Sequence, residues 1–143
     1  MNIKNFFISL FWKQNKWHKH GVFIHTLRVA YYTFKGQEYR MIPAALLHDI
    51  GKPFVAYIRE GEKDLSFTDH EEKSYQIIKN WPFISDYTKR LVRYHYLLRD
   101  MDVCKRKGNL ERLTRKRIIY NSLSEDFKND LSKFLIFDDK GKV

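Results

Sequence analysis

The sequence is poor in residues that stiffen, interrupt or cross-link a chain. A single cysteine, Cys104, excludes an internal disulfide. Three prolines and six glycines, spread singly, leave no segment that reads as a flexible linker, and no internal repeat or low-complexity tract is visible. No run of about 18 or more apolar residues occurs, so a spanning helix is excluded. The N-terminus also lacks the apolar run and small-residue cleavage site of a secretion signal. Acids are in deficit, with 17 Asp+Glu against 27 Lys+Arg, a formal charge of +10. What these absences leave is one domain of 143 residues, too short for two ordinary ones. It is expected in the cytoplasm, as a monomer or homodimer. Its positive field attracts polyanions, so nucleic acid, nucleotides and acidic lipid are candidate partners; the plainer reading is that the charge only maintains solubility.

What is present is helical periodicity. From Gly21 to Phe34, Phe23, Leu27, Ala30 and Phe34 form one apolar stripe, and Val22, Val29 and Tyr32 form a second beside His25. Two apolar sides predict a central helix. Met41 to Asp49 is apolar almost all round and is followed by Gly51 and Pro53, the order expected past a helix end. Phe54 to Phe67 lacks sustained periodicity and reads as a surface loop. Thr68 and Glu71 have capping-box spacing, which predicts a helix with His70 in its first turn. Further helices are predicted from about Ser85 to Leu98, Leu110 to Tyr120 and Ser124 to Asp138. Strand-like alternation is scarcely visible, so the predicted class is all-α: a compact helical bundle with an aromatic helix over residues 1–13 and a core over 14–139. The N-terminal helix, with Phe6, Phe7, Leu10 and Phe11 on one side, is expected to pack on its own domain, the alternative being a membrane surface.

The strongest local signal for chemistry is His48-Asp49-Ile50-Gly51-Lys52-Pro53, where two ligand types end an otherwise apolar helix. A buried carboxylate is costly unless paired or bound to metal. Neighbours on a helix point about 100° apart, so His48 and Asp49 can bracket an ion, and Asp49 has two oxygens with which to bridge a pair. Near the far end, Phe127, Leu131, Phe134, Leu135 and Asp138 share one helical stripe, which turns Asp138 toward the core and Asp139 toward solvent. An acid on a core-facing stripe needs a cation, either a metal or a buried Arg or Lys. His25 among apolar neighbours, His70 near a helix start and His95 in line with Thr88, Leu91 and Val92 are weak signals singly.

In order, His25, His48-Asp49, His70, His95 and Asp138 resemble the ligand pattern of HD-domain phosphohydrolases. The stretches QNKWHKHGVFIHTLR, HDIGKP, FTDHEEKSYQII and RLVRYH are most similar to the HD domain of bacterial tRNA nucleotidyltransferases, over about residues 14 to 138. The resemblance implies one metal held by His25, His48, Asp49 and Asp138, and a second held by His70 and His95 with Asp49 shared. It also implies that Asp49 is catalytic and that Lys52 is a catalytic, substrate-binding lysine neutralising a phosphate oxygen. Histidine-rich ligation suits divalent transition ions, namely Mn, Co, Ni, Zn or Fe, better than magnesium. No nucleotidyltransferase region precedes the HD-like stretch in this sequence, so nucleotide addition is not expected.

The expected reaction is hydrolysis of a 2′,3′-cyclic phosphate or terminal phosphomonoester on nucleotides or RNA 3′ ends. One alternative is a nucleotidase or nucleoside triphosphate hydrolase acting on free nucleotides; another is a metal-stabilised RNA-binding module without turnover. Basic residues 105–117, including Arg112, Arg115 and Lys116, are candidates for gripping a polynucleotide. Arg28 and His20 are candidate phosphate contacts, and His18 is expected at the surface. Cys104 has no evident partner base and is not read as a nucleophile.

Overall fold

The computed structural model describes residues 1–143 and is all-α. Nine helices follow one another as α1 (Ile3–Phe11), α2 (Val22–Lys35), α3 (Ile42–Leu47), α4 (Lys52–Val55), α5 (His70–Ile78), α6 (Asp86–Tyr94), α7 (Leu97–Lys107), α8 (Leu110–Ser122) and α9 (Glu125–Gly141). The segment expected to be a loop carries a two-stranded antiparallel ladder, β1 (Tyr57–Ile58) and β2 (Leu65–Ser66), in the register Tyr57↔Ser66 and Ile58↔Leu65. Two residues per strand are too few to produce a visible alternation.

Local chemistry sets most boundaries. Ser85, Asn109 and Ser124 cap α6, α8 and α9 by accepting from the N–H groups of Thr88, Arg112 and Phe127. The capping box expected at Thr68 does not form. Asp69, in the left-handed region at φ 57°, is the residue that precedes α5, and the Thr68 hydroxyl pairs instead with the Tyr57 hydroxyl at 2.9 Å. That turn points Thr68 at β1. The expected helix from Ser85 to Leu98 is two helices: α6 ends at Tyr94, and α7 restarts at Leu97, burying Leu97, Asp100 and Cys104. Those three fall at helical spacing and could have been read in advance. Pro53 likewise opens α4 after a turn at His48–Gly51, beyond closing the preceding helix.

The core is one cluster in which Val29, Met41, Ala44, Leu91, Leu131 and Phe134 are completely or almost completely buried. Helix α2 packs on α3 and α9, and α5 packs on α6. The central-helix expectation for α2 holds for only one of its two stripes. Val22, His25 and Val29 are buried, whereas Phe23, Leu27 and Phe34 are exposed, because α3 and α9 cover one side and α1 only touches the other, where Phe11 meets Phe23. Helix α1 lies on α4 and α2, with Ser9 buried and Phe6 edge-on to Phe54, leaving Phe7 and Phe11 exposed.

Two glycines set the closest approaches. A Cβ on Gly51 would lie 2.5 Å from the Ser74 backbone nitrogen and 2.7 Å from the His70 carbonyl oxygen. The turn after Asp49 therefore lies directly on α5, where the Gly51 N–H donates to the Ser74 hydroxyl at 2.9 Å. A Cβ on Gly141 would lie 2.4 Å from a Val29 methyl and 3.2 Å from His25 Nδ1. Glycine there lets the end of α9 close onto α2.

Candidate metal centre

Five chain segments deliver six side chains to one buried point. His25 lies in the first full turn of α2, and His48 and Asp49 follow the last residue of α3. His70 is the first residue of α5, His95 follows α6, and Asp138 lies on α9. The four histidines and Asp49 are buried, and the Asp138 side chain keeps 14% of its surface. Phe134 forms part of the wall, edge-on to both His48 and His95.

The donor atoms form two groups that share one residue. In the first, His25 Nε2 lies 2.9 Å from Asp138 Oδ1 and 3.4 Å from Asp49 Oδ2. His48 Nε2 lies 3.3 Å from His25 Nε2, 3.3 Å from Asp49 Oδ2 and 3.4 Å from Asp138 Oδ1. In the second, His70 Nε2 and His95 Nε2 are 3.3 Å apart and lie 3.4 and 3.6 Å from Asp49 Oδ1. Each group thus contains one oxygen of Asp49. Ligands held about 2.0–2.2 Å from an ion lie roughly 3.0–3.6 Å from one another, which is the spacing found in both groups.

Hydrogen bonding on the outer side of the rings fixes what the inner side offers. His48, His70 and His95 each donate Nδ1–H to the carbonyl three residues earlier, that of Ala45 at 2.8 Å, Phe67 at 2.9 Å and Val92 at 2.7 Å. A carbonyl can only accept, so in the neutral rings Nε2 carries the lone pair. At 3.3 Å, His70 and His95 then set lone pair against lone pair, which calls for a cation between them. Neither Asp49 oxygen accepts a well-formed hydrogen bond despite complete burial. Lys52 Nζ lies 2.7 Å from Oδ2 as an ion pair, and its hydrogen bond goes to Gln14 Oε1 at 2.9 Å. Buried carboxylate oxygens left in this condition suit metal ligation, so the residues present fit divalent ions.

The same geometry controls protonation when no metal is bound. Burial opposes charge on His48, but Asp49 and Asp138 overcome it and push its pKa up to about 10. For Asp49 burial is again opposed and outweighed, by the charges of His48 and Lys52, and its carboxyl is held well below the usual range. Asp138 is held low in the same way by His25 and His48. His95 moves down, principally through burial. A metal bound at His48 would therefore displace a proton.

The candidate substrate contacts are distributed unevenly. Lys52 reaches the centre with its ammonium turned onto Asp49 and Gln14. His20 is half-buried and touches the same network through its carbonyl, which accepts from Gln14 Nε2 at 3.2 Å. The Arg28 guanidinium donates to the Val143 carbonyl oxygen. Arg112 and Lys116 are engaged by Asp100 at 3.0 and 3.2 Å, with Arg112 also reaching Asp69 at 3.2 Å. Arg115 is exposed beside Glu111. Residues 105–117 divide between the end of α7 and the start of α8, on either side of Gly108.

His18 is a correction, buried where a surface residue was expected. Its ring stands edge-on to His25 with centroids 5.0 Å apart. An Asn15 Oδ1 contact at 3.0 Å holds Nδ1. Burial, then the charges of Lys52 and His25, depresses its pKa to about 2. Gln14, 1% exposed and bonded to Lys52, is a further residue of the site that no motif singled out. Asp139 faces solvent as expected and pairs with Arg99 and Lys142.

Compared with known proteins, the chain matches the family model described as HD domain over residues 22–122. No curated protein matches it. The match stops before α9, so Asp138 joins the candidate donors through the fold, by its 2.9 Å approach to His25.

Proposed function

Since the chain belongs to the HD domain family, a family of metal-dependent phosphohydrolases, we propose that it hydrolyses phosphoesters of nucleotides or RNA ends. It would do so at a two-metal centre held by His25, His48, Asp49, His70, His95 and Asp138. The observation that carries this reading is the division of the Asp49 carboxylate, with Oδ2 among one set of donors and Oδ1 in the other. Divalent ions bound there would supply a water of lowered pKa and Lewis acidity toward the phosphoryl oxygens.

The chain's own residues do the rest. His48, His70 and His95 present Nε2 lone pairs because their Nδ1 protons are tied to backbone carbonyls. Asp49 aligns the two donor sets. The Lys52 ammonium, held beside Asp49 and anchored by Gln14, would contact a phosphate oxygen of a bound substrate. A 2′,3′-cyclic phosphate or terminal phosphomonoester is carried over as substrate only by analogy with the HD domain that the sequence motifs resemble.

A second reading, a nucleotidase or triphosphohydrolase acting on free nucleotides, is favoured by one observation. Arg112 and Lys116 are occupied by Asp100, which weakens the case for a polynucleotide grip. Salt separates the two readings, because a substrate held through several phosphates loses affinity steeply as salt rises. The test is metal content by elemental analysis of the wild type, Asp138→Ala and His95→Ala. It is paired with hydrolysis of 2′,3′-cyclic nucleotides, monophosphates and triphosphates under manganese, cobalt, nickel, zinc and iron. Two ions in the wild type, one fewer in each variant, and turnover lost with Asp138 are expected. Absence of both metal and turnover under every condition overturns the proposal.

A further inference from the structure

An apolar surface runs over α1 and α2 on the side that no other element covers. Phe7 stacks on Phe11 with centroids 6.4 Å apart, and Phe11 meets Phe23 at 6.5 Å, which joins the two helices. From Phe23 the stripe continues along α2 through Leu27, Tyr31 and Phe34, positions that share one helical face. All six side chains are about half exposed, from 46% for Leu27 to 59% for Phe11. Trp12 and Trp17 are more open still, at 81% and 68%. Single exposed apolar residues need no explanation, but a contiguous patch this long marks an interaction site.

The charge around the patch has one sign. Lys4, Lys13, Lys16, Lys19 and Lys35 are all exposed, and no acid occurs before Glu38. The lysine ion pairs of the molecule are made elsewhere, by Lys52, Lys116, Lys128, Lys133 and Lys142. Asp64 touches the edge of the segment, where its carboxylate is taken by the Lys16 backbone N–H at 3.1 Å.

This charge pattern selects among occupants. A two-fold dimer would set the patch against its own copy, with unpaired lysines facing lysines and no acid to answer them. A single-stranded nucleic acid would stack its bases on a series of open ring faces, whereas here Phe7, Phe11 and Phe23 pack on one another, Tyr31 meets Tyr32, Phe34 meets Tyr39 and Lys16 lies over Trp17, which leaves Trp12 alone. A bilayer surface needs only a continuous apolar ridge bordered by cations, with aromatic residues at headgroup depth. No helix is long and apolar enough to cross a membrane, so the contact would be peripheral. We infer that the exposed aromatic face of α1 and α2, with its fringe of lysines, docks the protein on an anionic lipid bilayer.

The experiment is co-sedimentation of the 143-residue chain with phosphatidylcholine vesicles, with and without phosphatidylglycerol, at low and high salt, alongside tryptophan emission. Wild type is expected to pellet with the anionic vesicles only, to shift its emission to the blue, and to dissociate as salt rises. Lys13→Glu with Lys16→Glu should weaken binding about thirtyfold or more, and Phe7→Ser with Phe11→Ser should abolish it. Helical circular dichroism and metal content are expected to stay at wild-type values in both variants, since every changed residue is exposed. Failure to bind any vesicle overturns the inference, and so does equal binding to neutral vesicles. So does dimerisation in ultracentrifugation that is lost in the phenylalanine variant, or RNA binding that replaces vesicle binding.

Discussion

Gly51 tests whether the spacing of the centre is set by one close backbone crossing. Its φ is −77°, which alanine adopts freely, so Gly51→Ala acts through space alone. The new methyl would lie 2.5 Å from Ser74 N and 2.7 Å from His70 O, where ordinary contact begins at 3.4 Å. Both neighbours are backbone and cannot rotate away, so α5 and the His48–Gly51 turn must separate by up to roughly 1 Å, enough elsewhere to cost about a hundredfold in function. Overpacking of this kind costs about 1–3 kcal/mol, which for a chain of this size lowers Tm by roughly 3–10 °C. Asp49 and His70 flank the crossing, so the second donor set should open and metal content should fall by one ion. The assay is differential scanning calorimetry with elemental analysis. Gly61→Ala is the control, because Gly61 has a positive φ of 77° and open space around it. It should lose about 1 kcal/mol through strain and keep its metal. If Gly51→Ala retains wild-type Tm and both ions, the crossing does not set the spacing.

Other outcomes follow from the same geometry. In the metal-free protein His48, raised from 6.5 to about 10, gives stability that is complete below pH 6.5 and lost as pH rises through 10. Asp49 and Asp138, depressed below 3.8, give stability present above pH 3.8 and lost as pH falls further. Metal uptake must remove the His48 proton, so affinity should gain up to about tenfold per pH unit below 10. Between pH 6.5 and 9, Tm should fall with pH without metal and stay nearly level at saturating metal, where the gain in affinity offsets the lost His48 contribution; parallel slopes would refute the proton displacement. Asp49→Asn should abolish binding of both ions and the Tm rise of about 10–15 °C that metal near a thousandfold above Kd gives the wild type. An unchanged metal-dependent shift in calorimetry would contradict the bridging role. Phe134→Ala, at a side chain buried completely against His48 and His95, should cost about 3–5 kcal/mol by urea denaturation and loosen both rings. A loss under 1 kcal/mol would mean the pocket collapses around it.

Much of the centre was legible in the sequence, because a buried carboxylate on an apolar stripe needs a partner that its neighbours cannot supply. Asp138 and the His48-Asp49 pair were readable on that ground, and His25, His70 and His95 joined them only through the resemblance of the whole order to the HD-domain pattern. What periodicity could not give was which side of a helix would be covered. Both stripes of α2 are apolar, and only the docking of α3 and α9 determines that Val29 is buried and Phe23 is not. Thr68 had the spacing of a cap, but a left-handed turn at Asp69 sent its hydroxyl to Tyr57. His18 looked like a surface residue because its burial depends on a contact with His25 across a loop. Nor did the basic run 105–117 reveal that Arg112 and Lys116 pair with Asp100.

The hydrogen bond between His25 and Asp138 spans 113 positions of the chain, and that distance bears on when the centre comes into being. A ribosome adds roughly 5–20 residues per second, so all four histidines are made seconds before α9 can dock. During that interval the imidazoles are present but the carboxylate that completes the first donor set is not. An ion captured then would be held by an unfinished shell and could still exchange with the cellular pool. Lasting occupancy of the first donor set would therefore require α9 in place, and an ion held there would report that the two distant parts of the sequence have met.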